Sequence, residues 1–218
     1  MEKMNKNILI WSTVLCFLSG ALNTLGLVEF NGGVTHITGS LSKLSIEIVN
    51  ENVININYLT RLILCFFLGS VISGVVIGKR EFSLKKRYGM VIVGIGLTLG
   101  ISYKILSDED HFILILALIS GIQNGLFITY KGMVVRTTHA TGGLTDLGVF
   151  IGNYIRYGKG ETWKIQFHFI LLVGFFFGGV FGVLESIYFV EEKFYILSFA
   201  YILLGALYFM WRDFYKKA

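Results

Sequence analysis

Apolar residues fall into six long, nearly uncharged blocks along the chain: Ile8–Val28, Leu62–Gly78, Tyr88–Tyr103, Phe112–Tyr130, Ile165–Leu184 and Phe194–Trp211. A helix needs about 20 residues, with a range of roughly 17–25, to cross the hydrocarbon core of a bilayer. Most of the blocks reach that length with a residue or two of flank. Only helices and closed barrels satisfy their backbone in lipid. The blocks lack the period-2 alternation of barrel strands, so the pattern predicts an all-α membrane protein. Ile8–Val28 is long and lacks a clean small-residue cleavage site, which argues for a mature helix over a signal peptide.

Between the blocks the chain uses one polar phrase twice: THITGSLSKL at Thr35–Leu44 and THATGGLTDL at Thr138–Leu147. The phrases are 103 residues apart, and Gly20 and Asn23 recur as Gly121 and Asn124 at 101. Gly69 and Gly74 are matched to Gly174 and Gly179 at 105. The order in each half is helix, phrase with a short helix, helix, helix. The repeats run over about residues 8–106 and 111–212, inside a single membrane domain spanning 1–218.

Charge decides how the short helices sit. Lys79–Arg87, Arg156–Lys164 and Arg212–Lys217 are basic, whereas Ser107–Asp110 and Glu191–Lys193 are acidic. Basic junctions belong in the cytoplasm. Six crossings with both termini inside place 15 of the 19 basic residues there; Lys43, Arg61, Lys104 and Lys193 are the exceptions. Eight crossings put at least one strong cluster on the wrong side. The expected fold is therefore six transmembrane helices plus two re-entrant short helices, arranged as an inverted-topology 3+3 repeat. Three crossings per half is an odd number, so the second half enters from the opposite side, as in many transporters.

Composition narrows the class further. The chain is 54% hydrophobic and 15% charged, against roughly 25% charged for a soluble domain. The net charge of +5 sits at block ends and gives no reason to expect nucleic acid. Cys16 and Cys65 both lie inside apolar blocks and read as packing residues, with no disulfide. The chain has no proline, so breaks in its helices must come from glycine and polar residues. Glycines at small-xxx-small spacing in the later helices suit close helix contact, either within the chain or between two copies in a homodimer.

The phrase carries the candidate chemistry. Thr38 and Thr141 are expected N-caps of the short helices. Gly39 and Gly142 allow close approach of backbone or solute. A helix start offers free N–H groups and partial positive charge to an anion or polar solute. The substrate-binding candidates are thus Thr35, His36, Thr38, Gly39, Thr138, His139, Thr141 and Gly142, with Asn23 and Asn124 beside them. Lys43 and Asp146 hold the same place in the two phrases. They are expected to form an ion pair or serve proton coupling, since intramembrane charges are functional by default. His36 and His139 suit either proton relay or hydrogen-bonded capping. No metal site and no cofactor are expected, because the ligand set is too thin. Glu29 and Glu47 have no acidic counterparts and read as peripheral.

The residues GALNTLG with THITGSLSKL, and GIQNGLFITYKGMVVRTTHATGGLTDLGVFIGN, resemble the YoaK family of uncharacterised bacterial inner-membrane proteins. The likeness covers most of the chain. Its more specific part is the second phrase with Arg136 and Thr137 before it; at Lys43 the chain departs from the family pattern. The resemblance implies a multi-pass protein of the bacterial inner membrane and supplies no substrate.

The reading that combines these features is a small-solute transporter or channel, with a midplane site made by both phrases and a small anion or polar metabolite as its ligand. The alternatives are a non-transporting membrane scaffold or sensor, and an intramembrane enzyme. The enzyme fits least well, because no nucleophile–base set stands out.

Overall fold

The computed structural model describes residues 6–30, 33–78, 85–106, 108–126, 128–130, 133–158 and 162–217. Lys3, Lys79, Arg80, Ser107, Lys131 and Lys159, used above to set orientation, lie outside them. Helices form in the order α1 (Lys6–Phe30), α2 (Ile37–Val49), α3 (Val53–Ile77), α4 (Lys86–Ile105), α5 (Glu109–Gly125), α6 (Ala140–Tyr157), α7 (Thr162–Tyr188) and α8 (Lys193–Lys217). Five of them, α1, α3, α4, α7 and α8, are long and apolar enough to cross a membrane.

Two departures from the sequence reading concern the middle of the chain. The fourth block does not stay helical to Tyr130. α5 stops at Gly125 after 17 residues, and an antiparallel hairpin follows, with β1 (Ile128–Tyr130) paired to β2 (Met133–Val135). The strand residues Ile, Thr, Tyr and Met, Val, Val favour an extended pleated surface. The run of apolar character hides that switch. α5, with 17 residues, is also shorter than α1, which has 25.

Stops elsewhere follow the absence of proline. Gly78 (φ 71°) ends α3 and Gly158 (φ 60°) ends α6 in the left-handed region, where a Cβ is disfavoured. The Asn52 side chain accepts from Asn55 N at 3.3 Å and starts α3. Asp108 accepts from Asp110 N at 3.0 Å and starts α5. A hydrogen bond from His111 holds the exposed Asp108 carboxyl below the ordinary range.

Packing concentrates in three helix pairs: α1 with α7, α3 with α5, and α4 with α8. Glycine makes each pair possible. A Cβ on Gly20 would collide with the Phe175 carbonyl oxygen, and one on Gly178 with that of Phe17. Across α3 and α5, Gly69 meets Leu118 O and Gly121 meets Phe66 O in the same way. Across α4 and α8, Gly96 meets Ser198 O and Gly205 meets Gly89 O. Contact positions rise together in the first two pairs, so those helices run parallel. In the third they run in opposite directions. These contacts also correct the glycine matching: Gly69 is placed like Gly178, 109 residues on, rather than like Gly174. The error is one helical turn, which sequence spacing alone does not resolve.

α2 and α6 lie outside these pairs. α2 rests on α3 and α6 on α7. Ser40 is the buried residue of α2 and Leu147 that of α6. Leu41, Ile46, Ile48, Leu144, Val149 and Ile155 are exposed apolar side chains suited to lipid.

Gly178→Ala should destabilise the protein in detergent by about 1–3 kcal/mol or more, because the new methyl group meets backbone. Gly94 has no neighbour within 4 Å of an added Cβ. Gly94→Ala should therefore be neutral or gain up to about 1 kcal/mol from helix propensity. Thermal melts of the two variants compare them directly; equal effects would mean that the α1–α7 seam is loose.

Candidate functional site

Each phrase is tied to the helix before it by the same bond. Thr35 donates to Asn23 Oδ1 through Oγ1 at 2.8 Å and through its backbone N at 3.3 Å. Thr138 Oγ1 donates to Asn124 Oδ1 at 2.6 Å. Both asparagines thus bind the first threonine of the phrase that follows them.

The helix starts lie two residues earlier than expected. His36 and His139, not Thr38 and Thr141, occupy the N-cap positions. Thr38 and Thr141 fall in the first turn, where their carbonyls accept from Ser42 and Thr145. His139 Nδ1 accepts from Gly142 N at 2.8 Å, satisfying one of the free N–H groups of α6. A Cβ on Gly142 would lie 2.5 Å from that nitrogen, so glycine is needed for the cap. His36 makes no side-chain cap bond, and Gly39 has nothing within 4 Å of an added Cβ. The two phrases share a sequence and do not share a finished geometry.

The expected Lys43–Asp146 pair does not form. Lys43 is exposed on α2, and α2 and α6 do not pack on one another. Asp146 instead faces His168 of α7, with Oδ2 at 3.5 Å from Nε2. His168 is 5% exposed and also meets the Phe150 ring edge-on.

A cavity of about 170 Å³ does lie beneath the second phrase. Its polar lining comes from Arg136, Thr137, His139, Asp146 and His168, and its apolar wall from Cys16, Leu171, Leu172 and Phe175. Phe175 is the middle residue of α7 and Cys16 lies close to the middle of α1. A second cavity, about 300 Å³, is lined by Ser70, Gly74, Ile77, Gly78, Asn124, Gly125 and Arg136. Arg136 borders both. Thr35, His36, Thr38 and Gly39 line neither.

Behind the first cavity stands a buried amide network. Gln123 Nε2 donates to Leu15 O at 2.8 Å and to Thr137 Oγ1 at 3.4 Å. Tyr201 OH donates to Gln123 Oε1 at 2.5 Å. One side chain thereby joins α1, α5, α8 and Thr137, the residue just before the second phrase. A 1% exposed amide with its acceptor and donors used fixes that part of the cavity wall.

His168, Gln123 and Tyr201 are the residues that motif reading missed. His168 and Gln123 are conspicuous as polar side chains inside apolar blocks, and the rule for intramembrane polar residues singles them out. Glu29 is less peripheral than expected, since it binds Lys193, which is 7% exposed at the start of α8. Among the described residues no group of three or more His, Cys, Asp or Glu side chains could hold a metal ion.

Asn124→Ala and Thr138→Val should show a coupling of about 1 kcal/mol in a double-mutant cycle of thermal stability. Lys43→Ala and Asp146→Ala should be additive within about 0.5 kcal/mol. Strong coupling of the second pair would restore the ion pair that this geometry lacks.

No curated protein and no solved structure matches the chain. The family described as a protein of unknown function, DUF1275, matches residues 11–210. That span covers nearly all the apolar blocks, both phrases and the cavity. The chain, with five helices apolar and long enough to cross a membrane, therefore belongs to the DUF1275 family.

Proposed function

We propose that this protein is a small-solute transporter or channel of the bacterial cytoplasmic membrane, with its solute site in the cavity beneath the second phrase. The observation that carries the reading is that cavity: a pocket with Arg136, His139, Asp146 and His168 around it, at mid-length of α1 and α7. A scaffold has no use for polar groups gathered around open space at that depth, where each is expensive. The ligand is a small polar metabolite or anion, met by the guanidinium of Arg136 and by imidazole.

The architecture proposed is an inverted 3+3 repeat of six crossings, α1, α3, α4 and α5, α7, α8, with α2 and α6 re-entrant. Exchanging α1 with α5, α2 with α6, α3 with α7 and α4 with α8 leaves the main packing pairs unchanged. The reciprocal glycine contacts map onto one another under the same exchange. The opposite directions of α4 and α8 also favour this count. They would be the third and sixth of six crossings, which run oppositely, whereas the fourth and eighth of eight would run alike. The Asn23–Thr35 bond supports re-entry. Asn23 is seven residues before the end of α1, so Thr35 has returned roughly 10 Å along it before α2 begins. With both termini cytoplasmic, the basic junctions fall inside.

The experiment is uptake by proteoliposomes holding the full chain, measured for a set of radiolabelled small anions and polar metabolites. For any solute carried, His168→Ala and Asp146→Ala should lower flux at least about tenfold, which corresponds to about 1.4 kcal/mol. His36→Ala, outside both cavities, should leave it near wild type. Unchanged flux in His139→Ala, His168→Ala and Thr141→Val together would sink the site.

A further inference from the structure

The buried face of α7 runs through His168, Leu171, Gly174, Gly178 and Gly182 to Glu185. His168 at one end faces Asp146. Glu185 at the other end is 1% exposed, and neither carboxylate oxygen has a hydrogen-bond partner among the described residues. The two are 17 residues apart, roughly 26 Å along a helix, so Glu185 is no part of the solute cavity. One turn before it, Gly182 is pressed against the Ala21 backbone, where an added Cβ would lie 2.7 Å from the carbonyl oxygen. The α1–α7 seam is therefore closed to side chains just below the carboxyl.

Charged groups on the surrounding elements do not offer it a counter-ion. Near this end of α7 they are Glu29 on α1, Lys193 at the start of α8, and Glu191 and Glu192 in the turn between α7 and α8; Glu29 and Lys193 bind each other, and the two turn residues are exposed acids. The hydrogen bonds Phe189 N to Glu185 O and Lys193 N to Phe189 O set Lys193 two turns beyond Glu185. α6 meets α7 at the opposite end, where its Asp146 is engaged with His168. An ionised carboxylate in this position would be an uncompensated buried charge, the costliest state available to it. A carboxylic acid carries no such charge.

We propose that Glu185 is a proton-binding site, protonated while α1 and α7 are packed together and releasing its proton to water when the seam opens at that end. Packing and ionisation then exclude each other, which makes the proton a ligand of the closed seam. A proton taken up on one opening and released on another is the element that a proton-coupled carrier requires. The inference does not rest on the solute cavity, and its failure would leave that site standing.

Infrared difference spectroscopy of the full chain in lipid vesicles, titrated from neutral to alkaline pH, tests it. The expected result is a protonated-carboxyl carbonyl band at neutral pH that E185Q removes and E185D shifts. The wild type should lose thermal stability as pH rises, and E185Q should lose that dependence. If the wild type has no protonated-carboxyl band at neutral pH, the proposal falls whether or not E185Q folds. A band that survives in folded E185Q also overturns it. So does a band that sodium ions abolish at fixed pH, since Glu185 would then be a cation site.

Discussion

Close contact between backbones, made possible by glycine, is the interaction on which the rest of this structure depends. Lipid gives apolar helices no reason to prefer one another over the bilayer, so association rests on packing and interhelical hydrogen bonds. At Gly20, Gly178, Gly69 and Gly121 no larger side chain fits, because a neighbouring carbonyl occupies the space. The same contacts build the candidate site. Cys16 and Phe175, walls of the first cavity, sit on the seam that Gly20 and Gly178 close. Ser70, on the other glycine seam, donates to Gly121 O at 3.2 Å and lines the second cavity. The seams set where helices cannot meet as well as where they do, and the two cavities lie at those edges.

Under the proposed repeat, the chemistry has gathered in one half. The position of Asp146 is held by Lys43 in the first half, and that of Gln123 by Leu22. His168 answers to Leu59 at the spacing of 109 that the seam glycines give. His139 caps α6, whereas His36 makes no equivalent bond. Both halves keep the asparagine–threonine tether and the glycine contacts, which hold the phrase in place. The first half retains the scaffold of the element, and the second adds titratable groups and an open volume to it.

The sequence made much of this legible because its signals were strong and local. Long apolar blocks, the absence of proline and the twice-used phrase led to the helices, their order and the pairing of Asn23 with Asn124. What stayed hidden depended on contacts between distant segments. Nothing near Lys43 tells that α2 would rest on α3, out of reach of Asp146. His168 lies in an apolar block far from either phrase, and only the α6–α7 contact brings it to Asp146. Glycines recur about once a turn along α3 and α7, at 69 and 74 and at 174, 178, 179 and 182, so a register error of one turn was invisible until the opposing carbonyls were known. The hairpin at Ile128–Val135 was masked by its own apolar residues, since a short apolar run reads as helix or strand equally well.

The inverted arrangement is the claim on which the account turns, and membrane topology tests it most directly. Single cysteines at Glu51, Lys85, Tyr157 and Glu191, in a Cys16→Ala, Cys65→Ala background, can be labelled from either face with an impermeant thiol reagent. The account predicts that Lys85 and Tyr157 label from the face that holds the termini, and Glu51 and Glu191 from the other. Labelling of Lys85 and Tyr157 from opposite faces would mean that the short helices cross the membrane, and would contradict it.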